Sequence, residues 1–391
     1  MSKNVIVSAC RTPIGAFLGA LSRFKTPQLG SFAIKEAVRR AGLKPEQVDE
    51  VIMGAVLQGG LGQSPARQAA LGAGLPNKVG VLTVNKVCAS GLKAVMLADQ
   101  LLQYGDGEIF VAGGMESMSN APYLLPKARQ GFRLGNAEVI DMLINDGLWD
   151  PYNNMHMGAC AELCAKKYSF SREAQDQYAI ESYKRALDSL SNKKFQSEIV
   201  PVEFQEKGKT KIIDTDEEPE RVAFDKIPTL KPAFEKEGTV TVANASSISD
   251  GAAALVVMSE EKAKSLGLKP LARIVGYAGA SREPEWFTIA PVDAIRKMLD
   301  KLNLKTTDID LWEINEAFSV AMLAVIKELS LDPKKVNVRG GAVALGHPIG
   351  CSGARLLTTL LYIMQEQNAK RGAVSLCNGG GEAVAMVIER I

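Results

Sequence analysis

The chain has no marked excess of charge of either sign, and this absence excludes two classes of partner. Its 391 residues include 46 Lys and Arg against 44 Asp and Glu, a formal net charge of +2. Proteins that bind nucleic acid or anionic membrane surfaces usually carry a basic excess. The chain also has no apolar run near the roughly 20 residues of a membrane-spanning helix. We therefore expect neither a nucleic acid nor a membrane among its partners.

A targeting segment and a disulfide framework are also missing. Residues 1–7 pass almost directly into a strand pattern, without the basic segment and apolar core of a secretory signal or the Arg-rich pattern of a transit peptide. We expect a cytoplasmic protein, with a processed organellar form as the alternative. Six cysteines are too few for a disulfide framework in so long a chain, so reduced thiols are expected.

Histidine is scarce as well. The chain contains only His156 and His347, so any general base of the histidine type must be one of these two.

Strand and helix patterns alternate near both ends of the chain, which predicts an α/β protein with a mostly parallel sheet. The first run predicts strands at residues 4–9, 48–54, 81–87 and 108–112 and helices at 31–41, 65–72 and 90–104. The last run predicts strands at 271–277, 309–314, 336–338 and 372–376 and helices at 291–302, 317–329 and 353–364. Order, spacing and glycine placement agree between the runs, so we predict a duplicated α/β unit.

The helix patterns at 92–102 and 354–364 are apolar on nearly every side. Such helices are buried on every side, so they predict a layered sandwich with a helical layer between two sheets. Polar helices at 161–168 and 171–189 mark an insertion of the kind that often forms a binding surface. Strands at 240–243 and 252–258 then return to the scaffold. The predicted units are residues 1–116, an inserted loop domain at 117–240, a return to the first half at 241–269, and a second half at 270–391.

Cys88 is the central candidate for chemistry. A strand pattern leads into it and a long helix pattern leads out, which places its thiol at a helix N-terminus. Unpaired N–H groups and the helix dipole favour the reactive thiolate there. A buried structural cysteine is the alternative.

Three further loops follow predicted strands of the second half. They carry Asn315 in Asn-Glu-Ala-Phe, His347 in Gly-His-Pro-Ile-Gly, and Cys377 before three glycines. Strand ends of a parallel sheet meet at the ligand crevice, so these loops should converge on Cys88. A cysteine with a histidine, a second cysteine and glycine N–H donors suits acyl transfer from a thioester. Each motif alone is less specific, because Gly-His-Pro also occurs in turns and glycine runs also bind phosphate.

Several motifs in order resemble those of the thiolase family, specifically its short-chain acetoacetyl-CoA type, and the resemblance covers essentially the whole chain. The motifs are Val-Asn-Lys-Val-Cys-Ala-Ser-Gly at 84–91, Gly-Gly-Met-Glu-Ser-Met-Ser at 113–119, Asn-Glu-Ala-Phe at 315–318, Gly-Gly-Ala at 340–342, Gly-His-Pro-Ile-Gly at 346–350 and Cys-Asn-Gly-Gly-Gly at 377–381. The resemblance implies a five-layer αβαβα sandwich of two similar domains with a loop domain, assembled as a homodimer or homotetramer.

The resemblance also implies roles. Cys88 matches the nucleophile that becomes acetylated, His347 its activator, and Cys377 the group that takes the α-proton of a second acetyl-CoA. Asn315 matches the residue that holds a water and forms one oxyanion hole with His347, and the N–H groups of Cys88 and Gly379 match the other. The implied reaction is a reversible ping-pong condensation of two acetyl-CoA to acetoacetyl-CoA and CoA. CoA thioesters are then substrates, and no cofactor or metal is expected.

Substrate-binding positions follow from the same resemblance. They are His156 and Ser246 at the pantetheine, Arg221 near the adenine, and Met157 and Phe287 narrowing the acyl pocket, with Phe318 as a further substrate-binding residue. The His156–Met157 pair resembles that of short-chain biosynthetic enzymes. Pro219 departs from potassium-activated relatives, which have a Tyr before Lys-Arg-Val, and this puts a potassium site in doubt.

Other functions remain open at this point. A degradative 3-ketoacyl-CoA thiolase of broader chain length is the nearest, and a non-catalytic acyl-CoA or lipid carrier on the same fold is another. A ketoacyl synthase would use a Cys-His-His or Cys-His-Asn set without a second cysteine at Cys377. His156, Cys160 and Cys164 have helical spacing suited to a metal site, but their apolar neighbours favour a packed helix.

Overall fold

The computed structural model describes residues 4–391, whose main strands form one ten-stranded sheet. The strands are β1 (Asn4–Arg11), β2 (Glu50–Gly54), β3 (Gly80–Val84), β4 (Ile109–Ser117), β5 (Ser249–Ser259), β6 (Ala272–Ser281), β7 (Leu311–Ile314), β8 (Arg371–Asn378) and β9 (Glu382–Arg390), with the short strand Gly15–Ala16 beside β5. Small two-stranded sheets pair Val202–Glu206 with Lys209–Ile213, Tyr123–Leu124 with Ile140–Asp141, and Trp149–Asp150 with Met155–His156.

The helices of the described residues cover both faces of this sheet. They are α1 (Thr26–Arg40), α2 (Pro65–Gly72), α3 (Ser90–Tyr104), α4 (Met157–Tyr168), α5 (Arg172–Ser191), α6 (Glu260–Ser265), α7 (Ala290–Leu302), α8 (Ser319–Leu329), α9 (Ala342–Leu345) and α10 (Ser352–Glu366). No helix among residues 4–391 is long and apolar enough to cross a membrane.

The sheet repeats one pairing pattern in its two halves. Its order is β7-β8-β9-β6-β1-β5-β4-β2-β3. In the first half β2 runs parallel to β4, and β4–β5 and β5–β1 are antiparallel; β7, β8, β9 and β6 repeat this sequence. The halves meet where Val5 and Ile6 of β1 pair with Arg273 and Ala272 of β6. The two predicted sheets are therefore one sheet with a short junction.

The prediction of a mostly parallel sheet is wrong, because most of the ladders are antiparallel. The turn between β8 and β9 has only three residues, and so short a connection can join only antiparallel strands. Parallel strands that are joined through helices occur only before the chain turns back into the antiparallel strands.

Three apolar cores define the layers, and they confirm the five-layer prediction. Helices α3 and α10 share the middle core with residues of both half-sheets, such as Phe110 and Val374. The outer face of the first half packs against α1 and α2, and that of the second half against α7 and α8. Leu92 and Leu357 of the middle layer are fully buried.

Strand β4 extends beyond its predicted end. The prediction stopped at residue 112 because Gly113 and Gly114 resemble a break, but both lie inside the strand. A Cβ on Gly113 would lie 2.0 Å from the carbonyl oxygen of Ala253, and one on Gly114 would lie 2.0 Å from that of Gly350. The glycines permit close backbone approach.

Two predicted strands are absent. Residues 336–338 form only a single bridge from Val336 to Trp312, because the Asn337 side chain bonds both the N–H and the carbonyl of Ile314 at 2.8 Å. Residues 240–243 lead into a turn in which Asn244 Oδ1 accepts from Thr241 N at 2.8 Å. Side-chain amides here replace the backbone partners of a strand.

The segment between β4 and β5 contains α4 and α5 and is tied to β1 by a buried cation. Arg11 pairs with Glu198 and Asp216 at 2.6 Å, and all three side chains are fully buried. The domain boundaries at residues 116, 240 and 269 stay predictions.

Candidate active site

Loops from both halves line one cavity of about 310 Å³. Its lining includes most of the predicted site residues, namely Cys88, His156, Met157, Ser246, Phe287, Phe318, His347 and Gly379. Asn315 and Cys377 lie directly behind this wall, at the ends of β7 and β8. Arg221 is not part of the lining.

Cys88 sits in a tight turn between β3 and α3. Strand β3 ends at Val84, three residues before the predicted end, and Val87 has a left-handed φ of 46°. Asn85 Oδ1 accepts from Val87 N at 2.9 Å, and Ser90 Oγ accepts from Lys86 N at 2.8 Å. Strained backbone of this kind persists where surrounding bonds fix it, and it holds the thiol at the cavity wall.

The Cys88 thiol is not easily ionised, which differs from the expectation. Burial and, to a smaller extent, the charge of Glu116 raise its pKa, whereas hydrogen bonds from the N–H groups of Gly379 and of Cys88 itself lower it, and the pKa that results is about 12. Although the sulfur is partly exposed to the cavity, the surrounding protein removes most of its hydration. Attack on a thioester therefore needs a base that takes the proton.

His347 is held as a neutral base. The Ser352 hydroxyl donates to Pro348 O at 2.9 Å, and Ser352 Oγ lies 2.5 Å from His347 Nδ1. A hydroxyl has one hydrogen, so Nδ1–H must donate to Oγ, and Nε2 is then the unprotonated ring nitrogen that can accept a proton. Burial and the charge of Arg355 lower the His347 pKa to about 3.

Asn315 faces this free nitrogen. Its Nδ2 donates to His347 Nε2 at 3.2 Å, and its Oδ1 is buried without a protein partner in the described part of the chain. An amide oxygen without a protein partner can accept a hydrogen bond from a bound water beside the imidazole ring.

Cys377 is a second, more deeply buried thiol. Burial raises its pKa, and the charge of a Cys88 thiolate raises it further. The two thiols therefore interact electrostatically, and only one of them readily carries a negative charge at a time.

One wall of the cavity is a compact apolar cluster. Met157, Phe287 and Phe318 pack together in one buried cluster that also includes Cys377. The Phe318 ring lies 6.2 Å from the rings of Phe287 and Phe234, edge to face in both pairs. Aromatic rings therefore surround the apolar side of the cavity.

The outer part of the cavity offers polar groups. His156 Nδ1 accepts from Gly158 N at 3.0 Å, and its ring stacks on Phe234 at 4.8 Å. Nε2 is then the ring N–H. Ser246 Oγ lies 3.0 Å from Ala317 O.

The metal-site alternative has no support from this geometry. Cys160 and Cys164 are fully buried in the apolar cluster. Within residues 4–391, no three potential protein ligands come close enough to hold a metal ion.

Arg221 lies on the surface of the inserted segment. Its side chain is 53% exposed and pairs with Glu217 at 3.4 Å and Glu218 at 3.8 Å. Its role near an adenine stays a prediction.

Sequence reasoning missed three residues that shape the site. Ser352 orients His347, Phe234 stacks on His156, and the buried carboxylate of Glu116 holds two loops beside Cys88. Glu116 stands inside a motif already singled out, and Ser352 begins the helix that follows His347, so position could have indicated these two. Phe234 lies in a segment without regular structure and gave no signal.

Comparison with known proteins decides the family. A family model described as the thiolase N-terminal domain matches residues 4–261, and one described as the thiolase C-terminal domain matches residues 268–390. This chain belongs to the thiolase family. The resemblance of its motifs is thereby confirmed.

Similar proteins span this thiolase from end to end. An acetyl-CoA acetyltransferase of Cupriavidus necator is 54% identical over 392 residues, covering 100% of both chains. One of Schizosaccharomyces pombe is 52% identical, covering 99% of this chain and 98% of its own. The crystal structure of the Bacillus anthracis acetyl-CoA acetyltransferase superposes with a TM-score of 0.98 at 45% identity, over 100% of this chain and 99% of that one.

Proposed function

We propose that this thiolase is an acetyl-CoA C-acetyltransferase, an acyltransferase that condenses two acetyl-CoA reversibly to acetoacetyl-CoA and CoA. The observation that carries the proposal is the single cavity that joins Cys88, the His347–Asn315 pair and Gly379 from the two halves. The names of relatives that match over the whole chain support the same activity.

In the first half-reaction Cys88 is the nucleophile. His347 Nε2 takes the thiol proton as sulfur attacks the thioester carbonyl, a C–S bond forms to Cys88, the C–S bond to CoA breaks, and CoA leaves as a thiol after receiving the proton of Cys377, which becomes a thiolate. The N–H groups of Cys88 and Gly379 stabilise the oxyanion. Their hydrogen bonds to the resting sulfur support this assignment.

In the second half-reaction Cys377 is the base. Its thiolate takes a proton from the methyl group of a second acetyl-CoA, and a water on Asn315 together with the Nε2–H of protonated His347 stabilises the enolate oxygen. The enolate carbon attacks acetyl-Cys88, a C–C bond forms, the C–S bond breaks, and Cys88 leaves and recovers its proton from His347. CoA thioesters serve as substrates, so the proposed chemistry needs no resident cofactor or metal.

The apolar cluster supports a short acyl chain. His156 and Ser246 are placed to contact the pantetheine, with Met157, Phe287 and Phe318 limiting the acyl end. The test compares thiolysis of acetoacetyl-CoA and 3-ketooctanoyl-CoA, and we expect kcat/KM to favour the shorter substrate at least about tenfold. Equal efficiencies would favour the degradative thiolase of broader chain length.

A non-catalytic carrier is tested by covalent chemistry. After mixing with acetyl-CoA, intact mass spectrometry should show one acetyl group per chain, located on Cys88 by peptide mapping and absent after iodoacetamide. A carrier would show no adduct.

We also propose a homotetramer in the cytoplasm. Strand β3 forms a free sheet edge with Leu82 42% exposed, which supports pairing with a second copy. A Gibberella zeae relative, 54% identical, is named cytosolic, whereas a bovine one, 51% identical, is named mitochondrial. Cell fractionation decides between these locations.

Potassium dependence is the last part of the proposal. Pro219 stands where potassium-activated relatives have a Tyr, so we expect equal rates in KCl and NaCl at matched ionic strength. A rate that rises severalfold with KCl would contradict this expectation.

A further inference from the structure

Glu116 is a buried carboxylate that the proposed mechanism does not use. It lies near the end of β4 with 0% exposure. Its Oε2 accepts from Val56 N at 3.0 Å and from Gly350 N at 2.9 Å, and its Oε1 accepts from Leu57 N at 3.2 Å. Within residues 4–391, no Lys, Arg or His forms an ion pair with it. Only backbone dipoles balance its charge.

The donors belong to two loops that pack beneath the cavity, whose lining includes Ile349 and Met118. Val56, Leu57 and Ile349 lie in one small apolar cluster, the floor cluster, whose other members are Met118, Met142 and Leu143. Cys88 packs against this cluster. Gly350 is three residues after His347, so the carboxylate joins the His347 loop to the floor beside Cys88.

Glycines occupy the positions where this junction leaves no room for a side chain. A Cβ on Gly350 would lie 2.7 Å from Glu116 Oε2 and 2.9 Å from Met115 O, and one on Gly114 would lie 2.0 Å from Gly350 O. Two glycines therefore bring the His347 loop against the strand that carries the carboxylate.

The charge of Glu116 opposes a Cys88 thiolate. A side chain that only stabilised the fold could be uncharged at this position. A neutral amide, for example, would not disfavour the Cys88 thiolate. A carboxylate, unlike an amide, presents acceptors to all three N–H groups at once, which suggests that placement outweighs the electrostatic penalty.

We propose that Glu116 is a positioning residue for acyl transfer, which fixes the His347 loop against the floor cluster so that His347 faces Cys88. The inference rests on the proposed function, because the reaction that needs this alignment is the acyl transfer at Cys88. An error of about 1 Å in such a site can slow a reaction about 100-fold.

The test combines Glu116→Gln with His347→Ala in a double-mutant cycle on the full chain. Thiolysis of acetoacetyl-CoA is measured at pH 8. We expect Glu116→Gln to lower kcat about 10- to 100-fold with KM within about threefold of the wild-type value. In the His347→Ala background the same change should lower the residual rate less than about twofold, because the residue acts through His347.

Glu162→Gln is the matched control. Glu162 is a buried carboxylate that accepts from Thr239 N and Val240 N, away from the His347 loop. Its substitution should have the same small effect in both backgrounds. Thermal melting verifies that each variant is folded.

Each outcome of these measurements either supports or overturns the inference about Glu116. A Glu116→Gln variant with wild-type kcat, or with the same loss in both backgrounds, overturns the inference. If Glu116→Gln does not fold, Glu116→Asp replaces it, and we expect the same pattern of kcat losses across the two backgrounds. If neither Glu116 variant folds while Glu162→Gln does, the role of Glu116 is in stability alone and the inference is overturned. A wild-type chain without thiolysis removes the proposed function and this inference together, whereas an active wild type with an unchanged variant removes only the inference.

Discussion

The two cysteines near the cavity differ in burial, and this difference separates their proposed tasks. Cys88 meets the cavity and two backbone N–H donors, while Cys377 lies behind it with its pKa raised by burial and by Cys88. A buried thiol next to an acylated neighbour no longer faces a competing charge. In the proposed mechanism, Cys377 therefore becomes the available base only after Cys88 is acetylated.

Cys377→Ala should separate the half-reactions. We expect the variant to acetylate Cys88 on mixing with acetyl-CoA, seen by intact mass spectrometry. Condensation and thiolysis should fall at least about 100-fold, the usual contribution of a general base. Loss of the acetyl adduct as well would contradict the division of labour between the two thiols.

The variant Ser352→Ala tests whether the Ser352 hydroxyl orients the His347 ring. Ser352→Ala leaves Nδ1–H without its acceptor and frees the ring to rotate or to change tautomer, so kcat for thiolysis should fall about 10- to 100-fold with little change in KM. The matched control is Thr358→Val, which removes a buried hydroxyl bonded to Ala354 O in the same helix. Similar losses in the two variants would mean that the hydroxyl serves only the helix.

Glu116 also makes a prediction about stability and pH. Burial raises its pKa from 4.5 to about 7, so the folded protein holds this proton more tightly than the unfolded chain. The resulting stabilisation is full below pH 4.5 and is lost as pH rises through 7, an effect on the order of 3 kcal/mol. Relative to Glu116→Gln, the wild-type melting temperature should therefore decrease between pH 5 and pH 8. A pH-independent difference would contradict the raised pKa.

At the level of elements, sequence patterns predict what depends on local periodicity. Helices α2 and α3 have the predicted bounds because their apolar spacing and terminal glycines are local features. The sheet pairing is a different matter, since β5 pairs with β1 and β4 across a long insertion and no local pattern encodes antiparallel return. The site itself was predictable as a set of loops. Ser352 lies close to His347 in sequence, whereas Glu116 acts through contacts to Val56 and Gly350 that are distant in sequence.

Gly114 shows why a glycine in a strand can be misread. It resembles a strand end, yet β4 continues through it because the His347 loop crosses at van der Waals distance. Gly114→Ala should destabilise the protein by about 3 kcal/mol or more, since a backbone carbonyl, not a flexible side chain, blocks the methyl group. Gly379→Ala is the comparison, because its Cβ would meet Val87 Cγ1 at 3.5 Å, and it should melt near the wild-type temperature. Equal melting temperatures for both variants would refute the steric argument.

At the scale of the whole molecule, neither half contains a complete site. The first half supplies Cys88, the second supplies His347, Asn315 and Cys377, and the inserted segment supplies His156 and Met157. The junction of β1 with β6 and the shared α3–α10 layer fix the two halves relative to each other. The candidate site therefore lies at the interface between the two halves that repeat the same pairing pattern.

The inserted segment also exposes an apolar arm, residues 121–139, which we expect to bind further copies of the chain. Leu134 is 100% exposed and Phe132 is 48% exposed, and Tyr123, Leu125 and Val139 are each at least half exposed. Apolar groups clustered in this way mark interaction surfaces, whereas single exposed ones are common.

Because β3 offers a second surface for self-association, loss of the arm should leave dimers rather than monomers. We expect Phe132→Asp combined with Leu134→Asp to halve the mass measured by size-exclusion chromatography with light scattering. Tyr104→Asp is the control, since Tyr104 is 84% exposed at the end of α3 but isolated from the arm, and it should leave the mass unchanged. Thiolysis should persist in the dimer, because the arm contributes no residue to the cavity. A wild-type mass in the double variant would show that the arm is not an interface, and a monomer would show that β3 does not pair without it.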